Sequence, residues 1–152
     1  MLISDLLQAD QINLDLPSST GPDAISHVAT LLRANPLITS YDGFYKELLA
    51  REQIESTCLG NGIAFPHSRT DHIKGMVLAV GRSKKGVYFE NCGQTVHLIF
   101  AIGTPKRMAT DYLSIIGGLA RILKDAPLRE KLLNAPDPKT FIEIIAAAEK
   151  KF

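Results

Sequence analysis

Apolar positions along the chain change period twice, and each change marks a new kind of element. Between Gln11 and Leu16 polar and apolar residues alternate, with Ile12, Leu14 and Leu16 apolar, which is the pattern of a half-buried strand. Pro17 and the run Ser18-Ser19-Thr20-Gly21-Pro22 end it. Ala24, Ile25, Val28, Leu31 and Leu32 then recur at helical spacing and predict an amphipathic helix over Asp23 to Ala34, closed before Pro36. Ser40 suits the cap of a second helix, which runs to Arg51 or Glu52 with Phe44, Leu48 and Leu49 inward. From Gly60 to Ile102 the pattern turns to short strands: Gly62 to Pro66, Met76 to Val80, Val87 to Phe89 and Val96 to Ile102. Gly, Asn and Lys turns part them.

The helical period then returns. Leu113, Ile116, Leu119, Ala120 and Leu123 form a stripe expected to face the core, with Thr110 or Asp111 as cap. Leu128 to Leu133 predicts a short helix before Pro136. Asp137 to Lys150 predicts a last one, with Pro138 in its first turn and Phe141, Ile144 and Ile145 inward. The order is strand, two helices, several strands, three helices (β-α-α-β-β-β-α-α-α). It predicts an α+β fold in which a mixed sheet is flanked by helices on both faces, an α/β/α three-layer arrangement, because neither part alone can bury its apolar side. Gly117-Gly118 interrupts the best helix, where each glycine costs about 1 kcal/mol relative to alanine. Close helix packing is the expected reason.

Composition narrows the classes of function. The 152 residues suit one domain over 1–152 with a sizeable core, and 45% hydrophobic with 22% charged residues is wrong for a disordered chain. The 17 Lys+Arg against 16 Asp+Glu leave a formal charge of +1, and the pairs Lys84-Lys85 and Lys150-Lys151 are too short to make a nucleic-acid surface. Met1-Leu2-Ile3-Ser4-Asp5 has no basic region ahead of an apolar stretch, and no apolar run reaches the about 18 residues of a membrane helix. A cytoplasmic chain without membrane insertion is expected. Cys58 and Cys92 show no Cys-x-x-Cys spacing, so they are expected as isolated, half-buried thiols rather than a zinc or redox pair.

The candidate chemistry lies in Ser56-Thr57-Cys58-Leu59-Gly60-Asn61-Gly62-Ile63-Ala64-Phe65-Pro66-His67-Ser68-Arg69. Gly60 and Gly62 flank Asn61, so the backbone there either approaches another group closely or turns into the next strand. Phe65 is held extended ahead of Pro66, which delivers His67 at a fixed strand end next to Arg69. An imidazole so held is suited to chemistry at neutral pH, the alternative being a satisfied surface histidine. The dinucleotide loop lacks its third glycine, and no Gly-Lys-Ser/Thr loop, His-Glu-x-x-His or Gly-x-Ser-x-Gly occurs. Neither a metal nor a cofactor is implied. If His67 acts, it acts as the nucleophile itself.

Ser56-Thr57, Gly60-Asn61-Gly62-Ile63-Ala64 and Pro66-His67 resemble the phosphorylation-site motif of type-2 enzyme IIA domains. These form the mannitol/fructose and nitrogen-regulatory (Ntr) branch of the bacterial phosphoenolpyruvate:sugar phosphotransferase system. Arg51, in Leu48-Leu49-Ala50-Arg51-Glu52, matches the family's arginine ahead of that motif, and Val96-His97-Leu98-Ile99-Phe100-Ala101 and Leu119-Ala120-Arg121-Ile122-Leu123 fit its later strand and helix. The resemblance implies a phosphoryl carrier whose His67 accepts, on Nε2, the phosphoryl group of an HPr-like phosphocarrier protein. Arg51 is implied to stabilise the phosphoryl oxygens, and backbone N–H groups of Gly60, Asn61 and Gly62, with Ser56 or Thr57, to add donors. Arg69 is a weaker candidate for the role of Arg51, with a solvated arginine the preferred reading. Tyr112-Leu113 stands where many members carry a second histidine followed by leucine. A tyrosine donates a hydrogen bond but forms no cation near neutral pH, which favours a regulatory, Ntr-like role over sugar uptake with onward transfer to a IIB domain. A non-catalytic module that binds a regulated protein is a third reading. His97 is read as a structural strand histidine, and His27 and His72 as solvated.

Overall fold

The computed structural model describes residues 1–17 and 20–151, so Ser18 and Ser19 of the expected first turn lie outside the described residues. In chain order the elements are α1 (Ile3–Leu6), a 3-10 turn (Ala9–Gln11), β1 (Ile12–Asn13), α2 (Gly21–Thr30), α3 (Tyr41–Ile54), β2 (Cys58–Gly60), β3 (Ile63–Ala64), β4 (His67–Thr70), β5 (Val77–Phe89), β6 (Gln94–Pro105), a second 3-10 turn (Lys106–Met108), α4 (Ala109–Lys124), α5 (Ala126–Asn134) and α6 (Pro138–Lys151). The strands make one six-stranded mixed sheet of spatial order β1-β5-β6-β3-β2, with β4 also on β6. β5 and β6 are antiparallel, β1 runs parallel to β5, and β3 and β4 follow one another parallel to β6.

Both faces of the sheet are covered. Along β6, Leu98, Phe100 and Ile102 point into a core shared with α1, α4, α5 and α6, while Ile99 and Ala101 point into a second core under α2 and α3. Successive strand residues face opposite sides, so a strand apolar at every position requires a helical layer on each face. The α/β/α expectation holds. No helix among the described residues is long and apolar enough to cross a membrane.

Several local expectations are corrected. The strand at 11–16 shortens to Ile12–Asn13, with Leu14 and Leu16 still buried. The two strands at 76–80 and 87–89 are one long β5, its pairing irregular between Arg82 and Val87 where Lys84 and Lys85 are exposed. The short α1 and strands β2 and β4 carry no periodic signal. The first long helix stops at Thr30, followed by turns. Ser40 caps α3 as expected, accepting from Gly43 N–H at 3.2 Å, whereas α4 follows Met108 with no side-chain cap in place of Thr110 or Asp111. The buried face of α4 is Tyr112, Ile115, Leu119, Ile122 and Leu123, and Leu113 is 66% exposed. Gly118 fits the close-packing expectation, since a Cβ there would lie 3.2 Å from Ile3 Cδ1 of α1. At Gly117 nothing in the structure requires a glycine.

Candidate functional site

Pro66 sets the position of the key side chain. Lacking an N–H, it interrupts the edge between β3 and β4, while its carbonyl accepts from Ile102 N–H at 2.9 Å and pairing resumes at His67. The half-buried imidazole places Nδ1 2.8 Å from the Phe65 carbonyl oxygen. A carbonyl only accepts, so Nδ1 carries the proton and Nε2 keeps its lone pair. Burial holds His67 below its ordinary value of 6.5 despite the Phe65 hydrogen bond; Arg51 pushes the same way as burial, and Glu52 opposes it. The ring is therefore neutral at pH 7 and nucleophilic at Nε2.

Two helices bring the charged and hydrogen-bonding groups to this ring. Consecutive residues of α3 point about 100° apart, so Arg51 reaches the site while Glu52, 6% exposed, turns inward. Arg51 Nη1 donates to the Glu55 carbonyl at 2.8 Å, which fixes the guanidinium at the end of its own helix. Tyr112, in the first turn of α4, packs its ring 5.5 Å from that of His67. Burial pushes its phenol up against the pull of Arg51 and Arg69, so the hydroxyl stays protonated and able to donate. His67, Arg51 and Tyr112, with Glu47, Ala50, Ile54, Ser68 and Arg69, line an open depression of about 420 Å³. A larger cavity of about 650 Å³, bounded by α2, α3 and the end of β5, has no histidine among its described lining residues.

The other expected site residues lie elsewhere. Gly60, Asn61 and Gly62, with φ of 88°, 56° and 77°, make the turn between β2 and β3, at the end of β3 away from His67. They serve the turn and are not among the described residues that line the depression. Ser56 Oγ accepts from Cys58 N–H at 3.2 Å. Thr57 donates through its hydroxyl to Glu52 Oε2 at 2.7 Å and through its N–H to Oε1 at 3.3 Å. Its carbonyl accepts from Phe65 N–H at 3.1 Å. Thr57 thus holds Phe65, whose carbonyl in turn holds His67, while Ser56 bonds only within its own segment. Arg69 is exposed, in line with the solvated reading, and also lines the open depression, donating to the Lys106 carbonyl at 3.3 Å. His97 is structural, with Nδ1 2.9 Å from the Ser83 carbonyl, so Tyr112 and not His97 meets His67.

Two features escape sequence reasoning. Glu52 gathers Thr57 and, through Asn91 Nδ2 at 3.3 Å, the turn after β5; no spacing rule links these residues. Cys58 and Cys92, expected as isolated thiols, are joined as a disulfide across a sequence separation of 34. That correction follows from the fold, because the turn after β5 returns beside β2 and brings together cysteines with no local spacing signal.

Comparison with known proteins places the chain in a family. The family model for the EIIA 2 component of the phosphoenolpyruvate-dependent sugar phosphotransferase system matches residues 5–148. The chain is similar to a fructose-specific EIIA component of Haloferax volcanii, 31% identical over 145 residues that cover 95% of this chain and 94% of that protein. It is also 31% identical over 151 residues to a fructose-specific EIIABC component of Bacillus subtilis; this covers 99% of the chain but only 24% of that longer protein. Its fold matches the crystal structure of nitrogen regulatory protein IIA-Ntr from Neisseria meningitidis with a TM-score of 0.85 at 28% identity, covering 94% of this chain and 98% of that one. The match runs through the His67 motif and through the sheet and helices that hold it, and the chain belongs to the EIIA 2 family of the phosphoenolpyruvate-dependent sugar phosphotransferase system.

Proposed function

We propose that the protein is a phosphoryl carrier that accepts a phosphoryl group on His67 from an HPr-like phosphocarrier in the cytoplasm and acts in regulation, in the manner of the nitrogen-regulatory branch. The observation that carries this reading is the Nδ1–Phe65 hydrogen bond, which commits one nitrogen and leaves Nε2 as the nucleophile. In the step, the Nε2 lone pair attacks phosphorus in line, the donor's P–N bond breaks and its imidazole leaves with that electron pair. Arg51 and Arg69, which share the depression, offset charge on the equatorial oxygens, and the Tyr112 hydroxyl offers a neutral donor. Tyr112 in place of a second titrating imidazole supports a group that is held and read rather than passed on. The 31% identity to a fructose-specific EIIA component supports a second reading, a sugar-specific carrier that delivers the group to a IIB domain.

The test is incubation with phosphoenolpyruvate, enzyme I and an HPr-like carrier. One phosphate per chain is expected, none on His67→Ala, and transfer slowed roughly a hundredfold in Arg51→Ala. An unlabelled wild type, or label surviving His67→Ala, would defeat the proposal. Offering the labelled protein to a IIB domain separates the readings: retention supports regulation, and rapid loss supports sugar transfer.

A further inference from the structure

We propose that Cys58 and Cys92 form a reversible dithiol/disulfide modification site that sets how firmly the Ser56–Thr57 segment braces the strand of His67. Its effect on transfer rests on the phosphoryl-acceptor reading; its chemistry rests on where the two cysteines lie. Their Cα atoms are 6.5 Å apart, within the span a disulfide bridges, and both residues are partly exposed, so an exchange partner can reach them. In a reducing compartment such a bond forms and breaks as a signal rather than standing as a permanent staple.

The pair occupies a place where one covalent tie matters. β2 is a three-residue edge strand that, among the described residues, pairs with β3, and the pairing is irregular between Cys58 and Gly60. Short edge strands with few neighbours open locally at small cost. Around the bond the contacts converge on the acceptor. Cys58 N–H holds Ser56 Oγ, and Thr57 on one side and Asn91, next to Cys92, on the other both bond Glu52. The Thr57 carbonyl then accepts from Phe65 N–H, whose own carbonyl accepts from His67 Nδ1. With the bond closed, the segment leading into β2 and the turn after β5 are tied together around Glu52; with it open, that segment is held to the turn, among the described residues, only through Glu52.

The chemistry balances through thiol–disulfide exchange. The thiolate of one cysteine attacks a low-molecular-weight or protein disulfide and releases one thiol. The second thiolate then attacks the mixed disulfide and releases the other, so the two electrons lost by the cysteines reduce the partner disulfide to two thiols. A dithiol runs the sequence backwards.

The whole chain is treated under native conditions with dithiothreitol or with oxidised glutathione. Intact mass, amide exchange over residues 56–62 and phosphoryl acceptance at His67 are then measured on each form. The oxidised protein should be lighter by two hydrogen atoms and better protected over 56–62, and should accept the phosphoryl group roughly fivefold faster or more. Cys58→Ser and Cys92→Ser should each keep the amide exchange and acceptance rate of the reduced form in either reagent, since oxidised glutathione can add only a mixed disulfide to the remaining cysteine. A bond that neither forms nor breaks in the folded protein, identical exchange and rates in the two forms, or a redox response that survives either serine variant would overturn the proposal. A redox-dependent exchange in a protein that takes no phosphate in either form supports the cysteine site while defeating the acceptor reading.

Discussion

At the scale of single residues, the proton of His67 is set by opposing influences. Burial, with Arg51, disfavours the imidazolium, while the Phe65 carbonyl and the Glu52 carboxylate favour it, and the outcome lies below 6.5. The unfolded chain therefore takes up this proton at higher pH than the folded one does. The stability His67 contributes is complete above its ordinary value and is lost as pH falls from there through the lowered one. Phosphoryl acceptance should follow the same limb, level above pH 6.5 and falling as pH drops through the folded-state value, in single-turnover rates. Glu52→Gln removes the charge that favours imidazolium, so the His67 ring resonances in an NMR titration should move their midpoint to lower pH. An unmoved or raised midpoint would show that the Glu52 charge does not favour the imidazolium, leaving it only its bonds to Thr57 and Asn91. His67 and Arg51 are legible in the sequence because a linear motif and its flank carry them, and Tyr112 only through the family resemblance at the start of the long helix. Glu52 is not, since its partners Thr57 and Asn91 meet only through the fold.

At the scale of elements, β6 acts as the ruler for the site. It pairs Ile99 with Ala64, Ile102 with His67 and Gly103 with Ser68, and so fixes where the β3–β4 edge presents the imidazole. Gly103 lets α3 approach that strand: a Cβ there would overlap Ile73 Cδ1 and lie 2.8 Å from Phe44 Cε1 and 3.0 Å from Val77 Cγ2. Gly103→Ala should therefore cost about 1–3 kcal/mol by overpacking, read as a lower urea midpoint at unchanged slope. A wild-type midpoint would mean that Phe44 and Ile73 yield freely. The layers of the fold are legible because apolar runs such as Leu98 to Ile102 exceed what one covered face requires. The orientation of α4 is not. Leu113 fits a helical stripe as well as Tyr112 does, and it is packing of Tyr112, Ile115, Leu119 and Ile122 into the core beside His67 that leaves the leucine 66% exposed. β2 and β4 are too short to show a period, and their strand state comes from pairing to β3 and β6.

At the scale of the whole molecule, a net charge of +1 conceals a cation used as structural glue. Arg82, 3% exposed, donates through Nε to the Leu14 carbonyl at 3.1 Å and through Nη1 to the carbonyls of Leu132 at 3.0 Å and Ala135 at 2.8 Å. It thereby ties β5 to the segment after β1 and to the C-terminal end of α5. Burial lowers its pKa against the pull of Asp15, yet a guanidinium remains charged and satisfied by three acceptors. Arg82→Leu keeps most of the apolar volume and removes all three donors, and a buried carbonyl left without a partner costs about 1–3 kcal/mol. A net loss of about 2 kcal/mol would lower Tm by roughly 4–8 °C for a chain of this size. Arg82→Lys, with a shorter reach to fewer carbonyls, should recover part of it. Arg82 pairs with Leu98 whereas His67 pairs with Ile102, so the damage lies towards the other end of β6, and the His67 titration in the folded variant should match the wild type. A shifted titration would instead make Arg82 part of the electrostatics of the depression, and an unchanged Tm would mean that water takes over all three carbonyls without cost.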